Sequence, residues 1–268
     1  MCTLILARDV LGPATMLLAA NRDERAARPT IPPGLLQAQP RVVGGRDQVA
    51  GGTWLALRED RAAVALLNRR DPDAHDPPAN HRSRGLLTLD VAASPAEPTP
   101  ARRAANAAAQ DSLARAALER ALESIARERY APFSLVYASP TSCWMVALEG
   151  GEPRVSPIAP GWHVLTHQEL DDPHEPRAAH WLARLKHERP PSREAAETLL
   201  MSVLRSHGED GAPPVCLHQG VMVTVSSSLV WMDANGARYL HAEGRPCEHP
   251  YEDRTPLLSG AAQSGGRR

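Results

Sequence analysis

Two short apolar runs open the chain, joined by a turn and followed by a polar cluster. Cys2 to Arg8 and Ala14 to Ala20 have the length and composition of strands, and residues 9–13 between them contain a Gly-Pro turn signal. Because the two arms are of similar length, a hairpin returns the end of the second arm to the start of the first. The pattern therefore predicts an antiparallel hairpin with Asn21-Arg22-Asp23-Glu24 beside Cys2.

The same hairpin form recurs, and helical segments are grouped between the hairpins. Further strand-like pieces occupy residues 51–57, 61–67, 133–138, 142–148, 163–166, 221–226, 229–232 and 237–241. Helical patterns cover residues 83–91, 101–129, 177–187 and 192–206, the last with Ser192 as the expected N-cap. Residues 28–40 and 71–81 are Pro-rich and predict a connector and a surface loop. Such grouping favours an α+β architecture of antiparallel sheets and helical layers over a parallel doubly wound sheet.

The composition favours one domain. The chain has 268 residues, of which 43% are hydrophobic but only 4% aromatic, so the core must be built from Leu, Val, Ile and Ala. No linker or internal repeat divides the sequence. We expect a single domain over residues 1–254 and a disordered Gly/Ser/Arg-rich tail over residues 255–268.

Charge and cysteine usage exclude several classes of protein. A net charge of −1 gives no reason to expect a nucleic acid or an anionic membrane as partner. No apolar stretch approaches the roughly 20 residues that span a bilayer. The polar residues soon after the first apolar run argue against a signal peptide. The spacing of the four cysteines forms no disulfide framework, which indicates a reduced, cytoplasmic compartment. The oligomeric state is left open.

Cys2 can carry chemistry if Met1 is removed, because it then bears a thiol and a free α-amine on one residue. A nearby guanidinium such as Arg22 favours the thiolate, and a carboxylate such as Asp23 can hold the amine. Asn21 or Asn68 can donate an amide N–H to a tetrahedral oxyanion. The alternative is that Cys2 is a small buried hydrophobe and the polar cluster a solvated strand end.

Two other motifs indicate a binding site less strongly than the residues around Cys2. Gly51-Gly52-Thr53-Trp54 allows close backbone approach to a ligand, or forms a bulge before a strand. Among eleven histidines, Cys216-Leu217-His218 and Cys247-Glu248-His249 are both Cys-x-His, but no third ligand stands at a zinc-site spacing. We therefore expect surface histidines, no metal and no cofactor. No GxSxG motif indicates a serine hydrolase.

The motifs of this chain, and the order in which they occur, resemble those of the NRDE family, also called the transport and Golgi organisation family. The matching segments are Met1-Cys2-Thr3, residues 19–24 with Arg28-Pro29, Gly44-Gly45-Arg46-Asp47, Gly51-Gly52-Thr53-Trp54-Leu55, Ala65-Leu66-Leu67-Asn68 and Ser83-Arg84-Gly85. A weaker C-terminal match covers residues 215–218 and 224–228, so the resemblance spans most of residues 1–245.

The resemblance implies a fold and a set of roles. The family looks like a branch of the N-terminal nucleophile (Ntn) hydrolases, whose fold is a four-layer αββα sandwich. By analogy with cholylglycine hydrolases and penicillin V acylases, the catalytic residues are Cys2, Asn21, Arg22, Asp23 and Asn68, with either Asn21 or Arg22 in contact with Cys2. Substrate binding is expected from Gly52, Thr53, Trp54 and Arg84.

Two functions follow from the residues and the resemblance together. The first is a cysteine amidohydrolase or acyltransferase that acts on a linear amide or thioester of a small molecule. The second is a non-catalytic carrier, because the family has been associated with haem and with acyl-CoA or lipid metabolism. Formation of an acyl-enzyme at Cys2 distinguishes the first from the second.

Overall fold

The structure is a computed structural model that describes residues 2–69, 80–95 and 107–260. Its strands are β1 (Thr3–Arg8), β2 (Met16–Glu24), β3 (Thr30–Gln37), β4 (Val42–Asp47), β5 (Leu55–Arg58), β6 (Ala62–Asn68), β7 (Phe133–Ala138), β8 (Cys143–Leu148), β9 (Arg154–Pro157), β10 (Gly161–Leu165), β11 (Val223–Met232), β12 (Ala237–Glu243) and β13 (Glu252–Asp253). Its α-helices are α1 (Arg84–Ala92), α2 (Ala107–Arg127), α3 (Pro176–Leu185), α4 (Arg193–Arg205) and α5 (Pro256–Ser259), with a 3-10 turn at Glu209–Gly211.

The strands form two antiparallel sheets. The first sheet has six strands in the order β10-β1-β2-β11-β12-β13, and the second has seven in the order β3-β4-β5-β6-β7-β8-β9. The second sheet is a meander in sequence order. In the first sheet, β11 pairs with β2 and thereby joins the C-terminal third of the chain to the N-terminal hairpin.

In the part of the chain that the structure describes, three apolar cores define four layers. The central core lies between the sheets and contains side chains such as Leu6 of β1 and Leu57 of β5. A second core packs α1 and α2 onto the seven-stranded sheet, and a third packs α3 and α4 onto the six-stranded sheet. The predicted α+β fold, a four-layer αββα sandwich with antiparallel sheets, is confirmed.

Each strand at the centre of the sandwich is buried on both faces, and this accounts for its continuous apolar sequence. In β2, Leu18 belongs to the central core, whereas Leu17 and Ala19 belong to the core beneath α3 and α4. Strand side chains alternate between faces. The predicted hairpin forms with Thr3 opposite Asn21 and Leu4 opposite Ala20, and β2 continues to Glu24.

Two of the differences between the structure and the sequence-based expectation concern segments that were predicted to lack regular structure. The Pro-rich connector at residues 28–40 contains β3, an edge strand, where prolines are tolerated because one side of the strand makes no ladder hydrogen bonds. The pairing of β3 shifts register between Ile31 and Gly34, around the two prolines.

The second difference concerns the tail predicted to be disordered from Thr255 onward. Residues 256–259 form α5, and Leu258 is buried in the central core. Two adjacent leucines in a polar context carry little periodic signal, which explains the difference. Residues 261–268, most of the predicted loop at 71–81 and the first part of the predicted helix at 101–106 lie outside the described residues.

Within the described ranges, no helix combines the length and apolar character needed to cross a membrane.

Candidate active site

Cys2 lies directly before β1 at the end of the central core. Its side chain packs partly against that core and also faces a cleft of about 440 Å³. The cleft is within the size range of small-molecule sites. Arg22, Trp54, Asn68 and Arg84 line it together with Cys2. Asp23, Gly52 and Thr53 also line it, so the structure brings seven of the predicted site residues to one cleft with Cys2, and Asn21 is the predicted residue that does not line it.

The alternation of side chains along β2 separates the polar cluster into two groups. Arg22 lies on the face of Leu18, towards the central core, and its guanidinium lies over the Trp54 ring. Asn21 lies on the opposite face, where its amide donates to the carbonyl oxygens of Leu204 (2.8 Å) and Val215 (3.0 Å). Of the two candidates for contact with Cys2, Arg22 therefore shares its face and Asn21 is bound to the layer of α4.

Arg22 is held by an aromatic ring and by carboxylates. Its Cζ lies 4.1 Å from the centroid of the Trp54 ring. Its Nη2 lies 3.8 Å from carboxylate oxygens of both Glu24 and Asp47. Burial lowers the pKa of Arg22, while these acidic neighbours act in the opposite direction. Arginine is effectively always protonated in proteins, so Arg22 remains a cation.

A second arginine completes this network. Arg28 Nε donates to Asp47 at 2.7 Å and lies 3.7 Å from Glu24. Burial alone would raise the pKa of Asp47, but the hydrogen bonds from Arg28 and from the N–H groups of Ala50 and Val49 hold it below its usual range. Two arginines and two carboxylates thus fix the wall of the cleft.

Asp23 lies on the face opposite Arg22 and is fully enclosed. Its Oδ1 accepts a hydrogen bond of 2.7 Å from the Thr224 hydroxyl, and its Oδ2 lies 3.8 Å from Arg177 Nη1. Arg177 also donates to the Thr3 hydroxyl at 2.9 Å. Burial raises the pKa of Asp23, and Arg177 and Thr224 oppose that shift. The carboxylate is therefore fixed next to the start of β1.

The Cys2 thiol is in an environment that favours its protonated form. Its Sγ donates to the backbone oxygen of Asp23 at 3.7 Å. Burial raises the pKa of the Cys2 thiol, the charge of Asp23 adds to the increase, and Arg22 lowers it by less than either. The sequence analysis expected Arg22 to favour the thiolate, but desolvation outweighs that attraction. A nucleophilic Cys2 therefore needs a base at the moment of attack.

The glycines of two motifs contact each other. A Cβ at Gly52 would overlap the backbone of Gly85 and would lie 2.5 Å from the nitrogen of Leu86. The Thr53 N–H donates to the Gly85 carbonyl at 3.0 Å. The close backbone approach that these glycines permit is thus between the segment before β5 and the start of α1. Thr53 and Trp54 line the cleft from this junction.

Asn68 and Arg84 lie at the outer part of the cleft. Asn68 ends β6 opposite Phe133, and its side chain is exposed. Arg84, the first residue of α1, donates to the Pro132 carbonyl at 2.8 Å. Burial lowers the pKa of Arg84 to about 10, which leaves the side chain positively charged near neutrality. The two residues supply an amide and a cation to the same opening.

Sequence reasoning missed several contributors. Four further residues contact the proposed catalytic cluster: Arg28 in the connector after β2, Asp47 in β4, Arg177 in α3 and Thr224 in β11. These elements are far apart in the chain. Of these residues, Arg28, Asp47 and Thr224 stand in segments that the sequence analysis quoted, whereas Arg177 does not. The histidines and cysteines near the C-terminus also come together, away from this cleft, although no zinc-site spacing was found for them.

The fold is that of the Ntn hydrolases, as comparison with solved structures shows. A mutant of the conjugated bile acid hydrolase from Clostridium perfringens is 12% identical, with a TM-score of 0.54 and coverage of 96% of this chain and 94% of that chain. The N-acylethanolamine-hydrolyzing acid amidase ortholog of Caenorhabditis elegans is 15% identical, with a TM-score of 0.48 and coverage of 85% and 92%.

The family model described as Transport and Golgi organisation 2 matches residues 1–214, and the chain belongs to that family. A search of curated protein sequences finds no match to this chain.

Proposed function

We propose that the protein is an Ntn-type cysteine hydrolase or acyltransferase that acts on a linear amide or thioester of a small molecule. One observation carries the proposal: the Cys2 thiol opens onto the cleft on the same face as Arg22, with the buried Asp23 at the adjacent position of β2. A fold shared with a conjugated bile acid hydrolase supports hydrolysis as the reaction class.

The reaction begins once Met1 has been removed and Cys2 carries a free α-amine. The amine takes the thiol proton as Sγ attacks the substrate carbonyl, so no stable thiolate is needed beforehand. The tetrahedral intermediate then collapses, and the ammonium returns its proton to the leaving amine or thiol. Water, activated by the same amine, releases the acyl group from Sγ, or another acceptor takes the place of water.

Asp23 is the residue that positions the amine. Its carboxylate is held beside the start of β1 because Arg177 contacts both Asp23 and Thr3, the residue after Cys2. A fixed carboxylate at this place favours a single orientation of the amine. Arg177 and Thr224 oppose the increase in the pKa of Asp23 that burial causes.

Asn68 is the proposed oxyanion donor, since Asn21 already donates its amide to two backbone carbonyls. Its exposed amide at the end of β6 is free to turn towards a substrate in the cleft. A donor of this type contributes about 3–4 kcal/mol to the transition state.

The walls of the cleft suggest the kind of substrate. Trp54 and Leu66 offer apolar surface for an acyl chain, whereas Arg84 offers a cation near the opening. Gly52 and Thr53 fix the position of Trp54 and contribute backbone to the same wall. We propose an acyl amide or thioester with an anionic group on one side of the scissile bond.

A covalent-adduct screen tests the proposal. The purified chain is mixed with acyl amides, lactones and thioesters, with and without a carboxylate, and intact mass is recorded. We expect an acyl adduct on wild type, none on Cys2→Ala, and an unchanged adduct on Cys143→Ala, a matched change at a cysteine buried in the central core. Equal turnover by wild type and Cys2→Ala would remove the nucleophile.

The raised pKa of the Cys2 thiol favours one alternative, a carrier of haem or of an acyl-CoA or lipid ligand with an inert thiol. Haem titration separates the two. A Soret shift with submicromolar affinity, unaffected by Cys2→Ala and without any acyl adduct, would support the carrier.

A further inference from the structure

A cluster of two thiols and two imidazoles lies outside the cleft. Cys216 and His218 lie between the 3-10 turn and β11, His207 lies just before that turn, and Cys247 lies in the turn after β12. One ligand atom from each residue lies within 4.8 Å of those of the other three. Residues from two segments of chain therefore converge on one point.

The spacing within the cluster is close to that of tetrahedral coordination, with two of three distances inside the expected range and one, at 3.1 Å, below it. Cys216 Sγ lies 3.5 Å from Cys247 Sγ, and His218 Nε2 lies 3.1 Å from Cys247 Sγ and 3.8 Å from Cys216 Sγ. Bonds of about 2.3 Å to sulfur and about 2.0–2.1 Å to nitrogen separate the ligand atoms of a tetrahedral zinc by roughly 3.3–3.8 Å. Three of the four side chains are thus already arranged around the position of an ion.

His207 provides the fourth ligand from the solvent side. Its ring lies edge-on to the His218 ring, with 4.7 Å between centroids. The His207 side chain is about half exposed, so it has room to rotate towards the other three residues, whose ligand atoms already lie within 4.8 Å of its own.

We propose that His207, Cys216, His218 and Cys247 bind a structural zinc ion. Two thiolates and two imidazoles with no position left for water are the ligand set and geometry of structural zinc, whereas magnesium and calcium require oxygen ligands. On binding, the two thiol protons pass to solvent as the zinc–sulfur bonds form. Glu248 lies 3.6 Å from His218 Nδ1 and orients that ring from the second nitrogen.

The zinc ion would also stabilise the segment that holds Asp23. The Leu217 N–H, between the two ligands Cys216 and His218, donates to the Thr224 hydroxyl at 2.8 Å. The same hydroxyl donates to Asp23 Oδ1 at 2.7 Å. Zinc binding therefore fixes, through Thr224, the carboxylate that faces the start of β1. The metal site itself stands whether or not the cleft is catalytic.

Metal analysis of the untagged protein tests the proposal. We expect about one zinc per chain from cells grown with zinc, iron and copper, as four protein ligands bind zinc tightly. The chelated protein should bind cobalt(II) and develop the visible bands of a tetrahedral site with a sulfur-to-cobalt charge-transfer band. X-ray absorption at the zinc edge should show two sulfur and two nitrogen neighbours.

Variants locate the ion. Cys247→Ser and His218→Ala should lose zinc and the cobalt spectrum, whereas His249→Ala, an exposed histidine two residues after Cys247, should keep both. If the variants fail to fold, the cobalt titration of wild type still decides. Wild type without zinc and without the cobalt spectrum would overturn the proposal. So would iron or copper in place of zinc, or a Cys216–Cys247 disulfide detected as a loss of two hydrogens in the mass.

Discussion

The Arg22 guanidinium lies over the ring of Trp54, with its Cζ 4.1 Å from the ring centroid. This contact joins the end of β2 in one sheet to the residue before β5 in the other, at the edge of the cleft that Cys2 faces. Gly45 makes room for it, because a Cβ there would overlap the edge of the Trp54 ring. A cation–π contact of this kind contributes about 0.5–2 kcal/mol, with the larger values in desolvated sites.

Replacing Arg22 by Lys should distinguish the effect of the positive charge from the effect of the guanidinium that stacks on Trp54. Lysine keeps a positive charge but loses the planar group that lies over Trp54 and reaches both Glu24 and Asp47. We expect Arg22→Lys to lower the free energy of unfolding by about 1 kcal/mol and to reduce acyl transfer. Arg25→Lys, at an exposed arginine three residues away, is the control. Urea unfolding and steady-state rates that match wild type would contradict a role for the stacked guanidinium.

The two asparagines should differ in what they affect. Asn21→Ala removes two buried hydrogen bonds to the Leu204 and Val215 carbonyls and should cost about 1–3 kcal/mol of stability. Asn68→Ala, at an exposed position, should leave stability unchanged and lower kcat by about 10²–10³, as for loss of an oxyanion donor. Chemical denaturation and kinetics on both variants measure this. If Asn68→Ala raises KM alone, Asn68 binds substrate instead.

Gly52 should tolerate no side chain. Gly52→Ala places a Cβ against the backbone of Gly85 and Leu86, where no flexible side chain can move aside. We expect a loss of about 1–3 kcal/mol in the free energy of unfolding, together with a displaced Trp54 and lower activity. Gly151→Ala is the control, because a Cβ there meets nothing within 4 Å. Similar midpoints for the two variants would show that the Gly52–Gly85 contact is loose.

The stability supplied by His163 should depend on pH. Burial lowers the pKa of His163, but the hydrogen bond to Asp171 (2.6 Å) outweighs it and leaves the folded-state pKa above the ordinary value. A histidine whose pKa is higher in the folded state stabilises the protein fully at pH values below its pKa in the unfolded state, about 6.5. This stabilisation is lost as the pH rises through the pKa of the folded state. The difference in unfolding free energy between wild type and His163→Gln should therefore be larger at about pH 6 than at about pH 9. A constant difference would mean that His163 stays neutral.

The layers of the fold could be predicted because periodicity and grouping are local signals. The hairpins, the N-cap at Ser192 and the antiparallel sheets all follow from short stretches of sequence, and the structure contains each of them. The edge strand β3 and the helix α5 were missed, because Pro-rich and polar sequence hides a strand or helix that tertiary contacts stabilise.

The site could be predicted only in part. Cys2 and the polar cluster are adjacent through a hairpin, which sequence spacing predicts. Helix packing and sheet pairing bring Arg177 and Thr224 to Asp23 across more than a hundred residues of sequence. Cys216 and Cys247 meet between two loops. No local sequence pattern predicts such contacts. The alternation of side chains along a strand could be predicted from the sequence, and it puts Asn21 and Arg22 on opposite faces of β2. The structure was needed to show that Arg22 is the one on the face of Cys2.

Peptide mapping of an acylated sample tests the central claim most directly. The protein is purified without a tag, treated with a reactive thioester, digested and analysed for the N-terminal peptide. We predict a peptide that begins at Cys2, without Met1, and carries the acyl group on Cys2, either on Sγ or, after S-to-N transfer during digestion, on its α-amine. Retention of Met1 on most molecules, or acylation at Cys143, Cys216 or Cys247 in place of Cys2, would contradict the account and favour a ligand carrier.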